Sequence, residues 1–265
     1  MTVIRLAHAP PTLFIALLAV VVVCAVPGCR SDLSTPVDPG LSDPGPVDPG
    51  PVDPEPAPAS FSMITLGDSY TVGENIPAHL SWPRQLADSL AADGVELALA
   101  TVARTGWTSA DLLPAAAAAD TGLAYDAVTV MIGVNDQFQH HDAHHFTARL
   151  DSILTVAVSL AGHRPERVAV FSIPDYGVTP YGLMLGGATV SADVDRFNAE
   201  ASVVARAHRS VWIDVTAASR AAADDPALVA RDGIHFSPLM YARWVELMTP
   251  VLVPMMTNEG AGTSR

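Results

Sequence analysis

FSMITLGDSY, residues Phe61–Tyr70, decides the fold. Phe61–Leu66 is an apolar run of strand length, and Gly67-Asp68-Ser69 ends it with turn-forming chemistry. A strand ending this way lifts the serine hydroxyl off the sheet edge, where a helix begins. Serine is a weak nucleophile unless an imidazole takes its proton and a carboxylate orients that imidazole. Asp232-Gly233-Ile234-His235, far downstream, supplies both groups within one short segment.

Outward from that stretch, short apolar runs alternate with helical patterns. Strands are expected at Phe61–Leu66, Val95–Val102, Ala127–Ile132, Arg167–Ile173 and Val211–Val215. The helix over Trp82–Asp93 has Ser81 as its cap, Pro83 in its first turn and Gly94 as its stop. Thr108 or Ser109 caps a helix running into Ala115–Ala119, and further helices cover Ala143–Ala161, Ala192–His208 and Pro238–Val253. Strand–helix alternation calls for a short parallel sheet with helices on both faces, a three-layer α/β/α sandwich. Sites in such sheets form at the carboxyl ends of strands. Ser69, Gly106 and Asn135 all lie just past expected strands.

Four blocks in order resemble the signature of the SGNH hydrolases, the GDSL-type lipases and esterases. They are Gly67-Asp68-Ser69-Tyr70-Thr71, Arg104-Thr105-Gly106-Trp107-Thr108, Gly133-Val134-Asn135-Asp136 and Asp232-Gly233-Ile234-His235. The resemblance spans roughly residues 61–255 and implies a flavodoxin-like fold and hydrolysis of carboxylic esters without a cofactor. It makes Ser69 the nucleophile, His235 the general base and then acid, and Asp232 the residue that orients His235. The oxyanion donors it implies are the Ser69 and Gly106 backbone N–H groups and the Asn135 side-chain amide. Arg104 stands where the family often has asparagine, and Gly106 also reads as a glycine permitting a helix-entry turn. The order Ser, Asp, His also occurs in α/β-hydrolases, but this chain lacks their Gly-x-Ser-x-Gly elbow.

The family cleaves short-chain acyl esters, lysophospholipids, thioesters and sugar O-acetyl groups. No lid or long apolar insertion argues here for a deep lipid pocket, so small or short-chain esters are expected. The alternatives are a lysophospholipase, thioesterase or acyltransferase using the same triad, or a glycan-binding envelope protein without turnover. Tyr70, Trp107, Phe138, Tyr176 and Phe236 lie near the blocks and are pocket candidates, each also readable as core. Asp68 and Asp136 read as braces for their turns. His140, His141, His144 and His145, with Asp142, have i, i+4 pairs of metal-ligand spacing. The reaction needs no metal, and a solvated polar loop is the expected reading of that cluster.

The chain divides in sequence before this domain begins. Residues 1–28 resemble a lipoprotein signal: Arg5, the apolar run Leu13–Val26, then Gly28 before Cys29, which would carry the lipid. Pro27 departs from the usual small residue, and an ordinary secretory peptide or an uncleaved anchor is the alternative. Cys24 would be removed with the signal, leaving no disulfide. Residues 29–60 read as a disordered linker with repeated Asp-Pro steps at Asp38, Asp43, Asp48 and Asp53, residues 61–258 as the hydrolase domain, and 259–265 as a disordered tail. A membrane-anchored bacterial envelope protein facing periplasm or exterior, monomeric and held to the membrane by its lipid alone, is the expectation. Mean hydropathy is +0.30 and formal charge −14, so a non-specific grip on nucleic acid is not expected.

Overall fold

A computed structural model describes residues 59–257. The expectations for the signal segment, Cys29, all but the end of the linker, and the C-terminal tail lie outside the described residues. Five strands form one all-parallel sheet: β1 (Ala59–Gly67), β2 (Val95–Ala103), β3 (Ala127–Met131), β4 (Val168–Phe171) and β5 (Val211–Ile213). Their spatial order is β2-β1-β3-β4-β5. The three-layer expectation therefore holds, and its reason is visible in burial. Every residue of β3 and the second half of β1 is buried, as strands covered on both faces must be. Edge strand β2 has no fully buried residue.

The helices are α1 (Ser69–Val72), α2 (Trp82–Ala92), α3 (Ser109–Ala118), α4 (Val134–Phe138), α5 (Ala143–Leu160), α6 (Pro180–Met184), α7 (Ala188–Ala207), α8 (Thr216–Ser219) and α9 (Pro238–Thr257). α2 packs on α9, while α3 packs on α5 and α5 on α7, giving the two outer layers. Thr108 caps α3 through a reciprocal box with Asp111. Ser81 stands at the N-cap of α2, but its hydroxyl turns back to donate to the Ala78 carbonyl at 2.9 Å.

Several boundaries differ from the expectations; β1 is longer at both ends and α9 runs on to Thr257. β4 and β5 are shorter, because the Ser172 hydroxyl accepts from the Val215 and Thr216 N–H groups at 2.8 and 3.0 Å and draws the chain out of the ladder. α7 begins at Ala188, behind the Gly186-Gly187 pair at positive φ. Helices α4, α6 and α8 were not expected: four or five residues are too few to show a helical period.

The strand order places the site. The chain leaves β1 for β2 on one side and returns to β3 on the other, so the crevice between β1 and β3 is a topological switch point. Gly67 pairs in register with Ala103 on β2 and Met131 on β3. The loops carrying Ser69, Gly106 and Asn135 therefore leave the sheet at one level.

Candidate active site

The turn that carries Ser69 is held by packing that only glycine permits. A Cβ on Gly67 would lie 2.1 Å from the Thr71 hydroxyl oxygen and 2.6 Å from the Met131 carbonyl oxygen. Thr71, on α1, thus folds back over the strand end and starts the helix at Ser69 without a spacer. Asp68 caps it, its carboxylate accepting from the Tyr70 N–H at 3.0 Å. Burial pushes the Asp68 carboxyl up to about 7; the Tyr70 N–H opposes this and the charge on Asp136 adds to it. Asp68 is a brace, as its sequence context suggests.

Asp232 and His235 form a tight pair, with His235 Nδ1 and Asp232 Oδ2 separated by 2.5 Å. The other carboxylate oxygen accepts from the Ile234 and His235 backbone N–H groups at 3.1 and 3.0 Å. Partial burial is the largest single influence on this carboxyl and pushes it up; the hydrogen bonds from His235 and the two N–H groups together outweigh it and hold it below the usual range. The Tyr70 ring lies edge-on to the imidazole, centroids 5.6 Å apart.

Ser69, Gly106, Asn135 and His235 line one cavity of about 160 Å³, together with Tyr70, Thr105, Val134, Phe138, Tyr176 and Ile234. Gly106 has φ +81° and sits third in a turn closed by the Trp107 N–H to the Arg104 carbonyl at 3.1 Å. A positive φ there requires glycine or its near equivalent. The Asn135 amide donates one N–H to the Trp107 carbonyl at 2.9 Å, linking the Gly and Asn blocks. A larger cavity of about 570 Å³, among Gly177, Leu183, Ser191 and Arg220, holds none of these groups. Chemistry rather than volume singles out the smaller one.

The aromatic expectations divide. Phe138 is 39 % exposed at the cavity wall, its ring 6.2 Å from that of Tyr176. Tyr176 is anchored by its hydroxyl donating to Gln137 Oε1 at 2.6 Å, and burial pushes its own ionisation up to about 12. Tyr70 lines the cavity but is 2 % exposed, wedged against Phe236 and Trp244. Two assignments are corrected. Trp107 is not among the residues lining this cavity: its ring is half-buried on the core, and its contribution is the carbonyl that holds Asn135. Phe236 is wholly buried in the core.

Asp136 is fully buried and ties the start of α3 to α4, accepting from the Ser109 N–H and hydroxyl at 2.8 and 2.6 Å. His141 Nδ1 stands 3.6 Å from it, whereas His144 and His145 are exposed in the first turn of α5. Among the described residues, no group of three or more His, Cys, Asp or Glu is arranged to hold a metal ion. Sequence reasoning missed Asn75, whose side-chain amide donates to Asp232 Oδ2, and Gln137, the anchor of Tyr176. No local pattern marks either, since their partners lie far along the chain.

A parallel α/β/α sheet with serine, histidine, a paired carboxylate and an asparagine amide around one switch-point cavity defines an acyl-hydrolase class of site. The sequence matches the GDSL-like lipase/acylhydrolase family over residues 65–243, and the chain belongs to that family. Solved structures with the same fold include the esterase EstA from Pseudoalteromonas sp., 15 % identical, covering 75 % of this chain and 100 % of that one at TM-score 0.59. A lipase/acylhydrolase from Enterococcus faecalis is 21 % identical, covering 72 % and 94 % at TM-score 0.58. The acetyl-xylooligosaccharide esterase Axe2 from Geobacillus stearmophilus is 19 % identical, covering 74 % and 95 % at TM-score 0.57. A search of curated proteins found no match.

Proposed function

We propose that this GDSL-family hydrolase cleaves carboxylic esters of short acyl groups, acetyl foremost, through an acyl-enzyme on Ser69. The observation that carries the reading is the cavity itself. At about 160 Å³ it is well below the roughly 300 Å³ at which drug-sized pockets begin, and Phe138 and Tyr176 wall it. A long acyl chain would have to run out over its rim. The similarity to an acetyl-xylooligosaccharide esterase supports acetylated glycans among the substrates.

In this reading Ser69 Oγ attacks the carbonyl carbon while His235 Nε2 takes its proton. Asp232, bonded to Nδ1, sets the ring's orientation and stabilises the imidazolium. The oxyanion is met by the Ser69 and Gly106 N–H groups and by the Asn135 amide hydrogen not engaged with Trp107. Collapse expels the alcohol, which His235 protonates, and water repeats the sequence to release the acid. The chain's own groups complete the cycle without a cofactor.

The test is an ester series of increasing acyl length together with a fluorophosphonate probe. Acetate or butyrate esters should give the highest kcat/KM, and Ser69→Ala should abolish both turnover and labelling with unchanged circular dichroism. Labelling of a different serine, or a preference for long acyl chains, would refute the reading. We propose further that the domain is held in a bacterial envelope through lipid on Cys29, with the Asp-Pro stretch as the linker between the two. Cys29→Ser should then leave the membrane fraction; a mature terminus elsewhere, without diacylglycerol, would refute this.

A further inference from the structure

We propose that Glu74 and Asn75 are positioning residues: one two-residue clamp that holds the triad carboxylate and the oxyanion turn at their working distance from Ser69. The inference rests on the site assignment above and adds to it a polar tie between the blocks on either side of Ser69. The hydrogen bonds that Asp232 receives from Ile234 and His235 all lie within residues 232–235. They orient the imidazole relative to the carboxylate, while the loop meets the Ser69 turn through the packing of Tyr70 on His235 and Phe236. Among the described residues, Asn75 is the one donor to Asp232 from outside that loop, reaching the same Oδ2 that pairs with His235.

Asn75 follows directly on the turn that ends the helix begun by Ser69. Gly73 caps α1 at φ +82°, and the N–H groups of Gly73 and Glu74 both donate to the Ser69 carbonyl, at 2.9 and 3.1 Å. A Cβ on Gly73 would also lie 2.8 Å from that of Ser81, so the position favours glycine on both counts. Asn75 itself has φ +60°, a left-handed conformation that asparagine tolerates better than most residues. Any shift of Ser69 therefore carries Glu74 and Asn75 with it. The Glu74 carboxylate in turn accepts from the Thr105 hydroxyl, one residue before Gly106. The two neighbouring side chains thus reach opposite partners, the Asp-x-x-His loop and the Gly block.

Both contacts are at an exposed rim, where water replaces a lost partner at little cost to stability. Their removal should register in turnover rather than in melting temperature. Asn75→Gly keeps the left-handed backbone and deletes the donor; Asn75→Asp keeps the shape and replaces the donor by a second carboxylate. Glu74→Ala deletes the acceptor, and Glu74→Gln keeps an acceptor oxygen. On p-nitrophenyl acetate, both Asn75 variants and Glu74→Ala should lose about tenfold to a hundredfold in kcat, the scale of a misplaced catalytic group. KM should stay within about twofold, because ground-state binding is untouched, and Glu74→Gln should recover most of the rate.

Wild-type kcat in Asn75→Gly would reduce Asn75 to a turn residue and overturn the clamp; should that variant fail to fold, Asn75→Asp decides the point. A Glu74→Gln rate as low as that of Glu74→Ala would overturn the Thr105 half. Ser69→Ala, run in parallel, separates the two readings. Label lost there while Asn75→Gly turns over normally sinks the clamp alone, whereas label retained sinks the site assignment beneath it.

Discussion

Asp68→Asn tests how the nucleophile turn is held. Asp68 is 1 % exposed, caps α1 through the Tyr70 N–H, and has its carboxyl raised by burial from 3.8 to about 7. A group raised on folding contributes stability that is complete below its unfolded pKa and disappears as pH climbs through its folded one. The window here is pH 3.8 to about 7, and at 1.36 kcal/mol per pH unit the whole loss is about 4 kcal/mol. Asparagine keeps the capping oxygen and never ionises, while its buried amide hydrogens cost about 1–3 kcal/mol if unpaired. The variant should therefore gain on wild type as pH rises, the difference widening by about 2–3 kcal/mol between pH 5 and 8.5. In melting temperature this is roughly 5–10 °C for a domain of this size. Thermal melts of both proteins at matched pH values measure it, and titrating groups not coupled to Asp68 cancel in the difference. A difference that does not change with pH would refute the burial argument. Retained ester hydrolysis in the variant would confirm that Asp68 braces the turn rather than acting as the triad acid.

Three further outcomes follow from contacts already described. Asn135→Ala should lower kcat by on the order of 100- to 1,000-fold with KM little changed, and stopped-time assays showing a loss confined to KM would make Asn135 a substrate-binding residue instead. Gly67→Ala forces a Cβ to 2.1 Å from Thr71 Oγ1 and should cost about 1–3 kcal/mol or more as overpacking; a urea midpoint equal to wild type would show that the turn can yield. Asp136→Ala strips the Ser109 N–H and hydroxyl of their buried acceptor and should cost about 2–4 kcal/mol in the same titration, against no change if water enters the space.

Much of the site is legible in the sequence because its chemistry sits where elements end. Ser69, Gly106 and Asn135 each follow an apolar run, and turn chemistry marks such ends locally. Asp232 and His235 announce themselves by lying three apart. The aromatic lining is not legible in the same way. Trp107 lies within a block and Phe138 beside one, yet one ring packs on the core and the other lines the cavity. That difference is set by the turn at Gly106 and the short helix α4, not by residue type.

By itself the sequence determined the strand–helix alternation and the parallel sheet and singled out the candidate triad, because run length, caps and breakers act between neighbours in the chain. Only the tertiary structure decided which strands lie side by side. β3 and the second half of β1 are buried on both faces, so no in–out alternation there specifies a partner or a register. The order β2-β1-β3 follows from packing the helices on both sides, and it is this order that opens the crevice. The contacts of Asn75 with Asp232 and of Glu74 with Thr105 belong to the same class. They join residues 157 and 31 positions apart, and exposed polar side chains acquire such partners only once the folded sheet has delivered the loops to one edge.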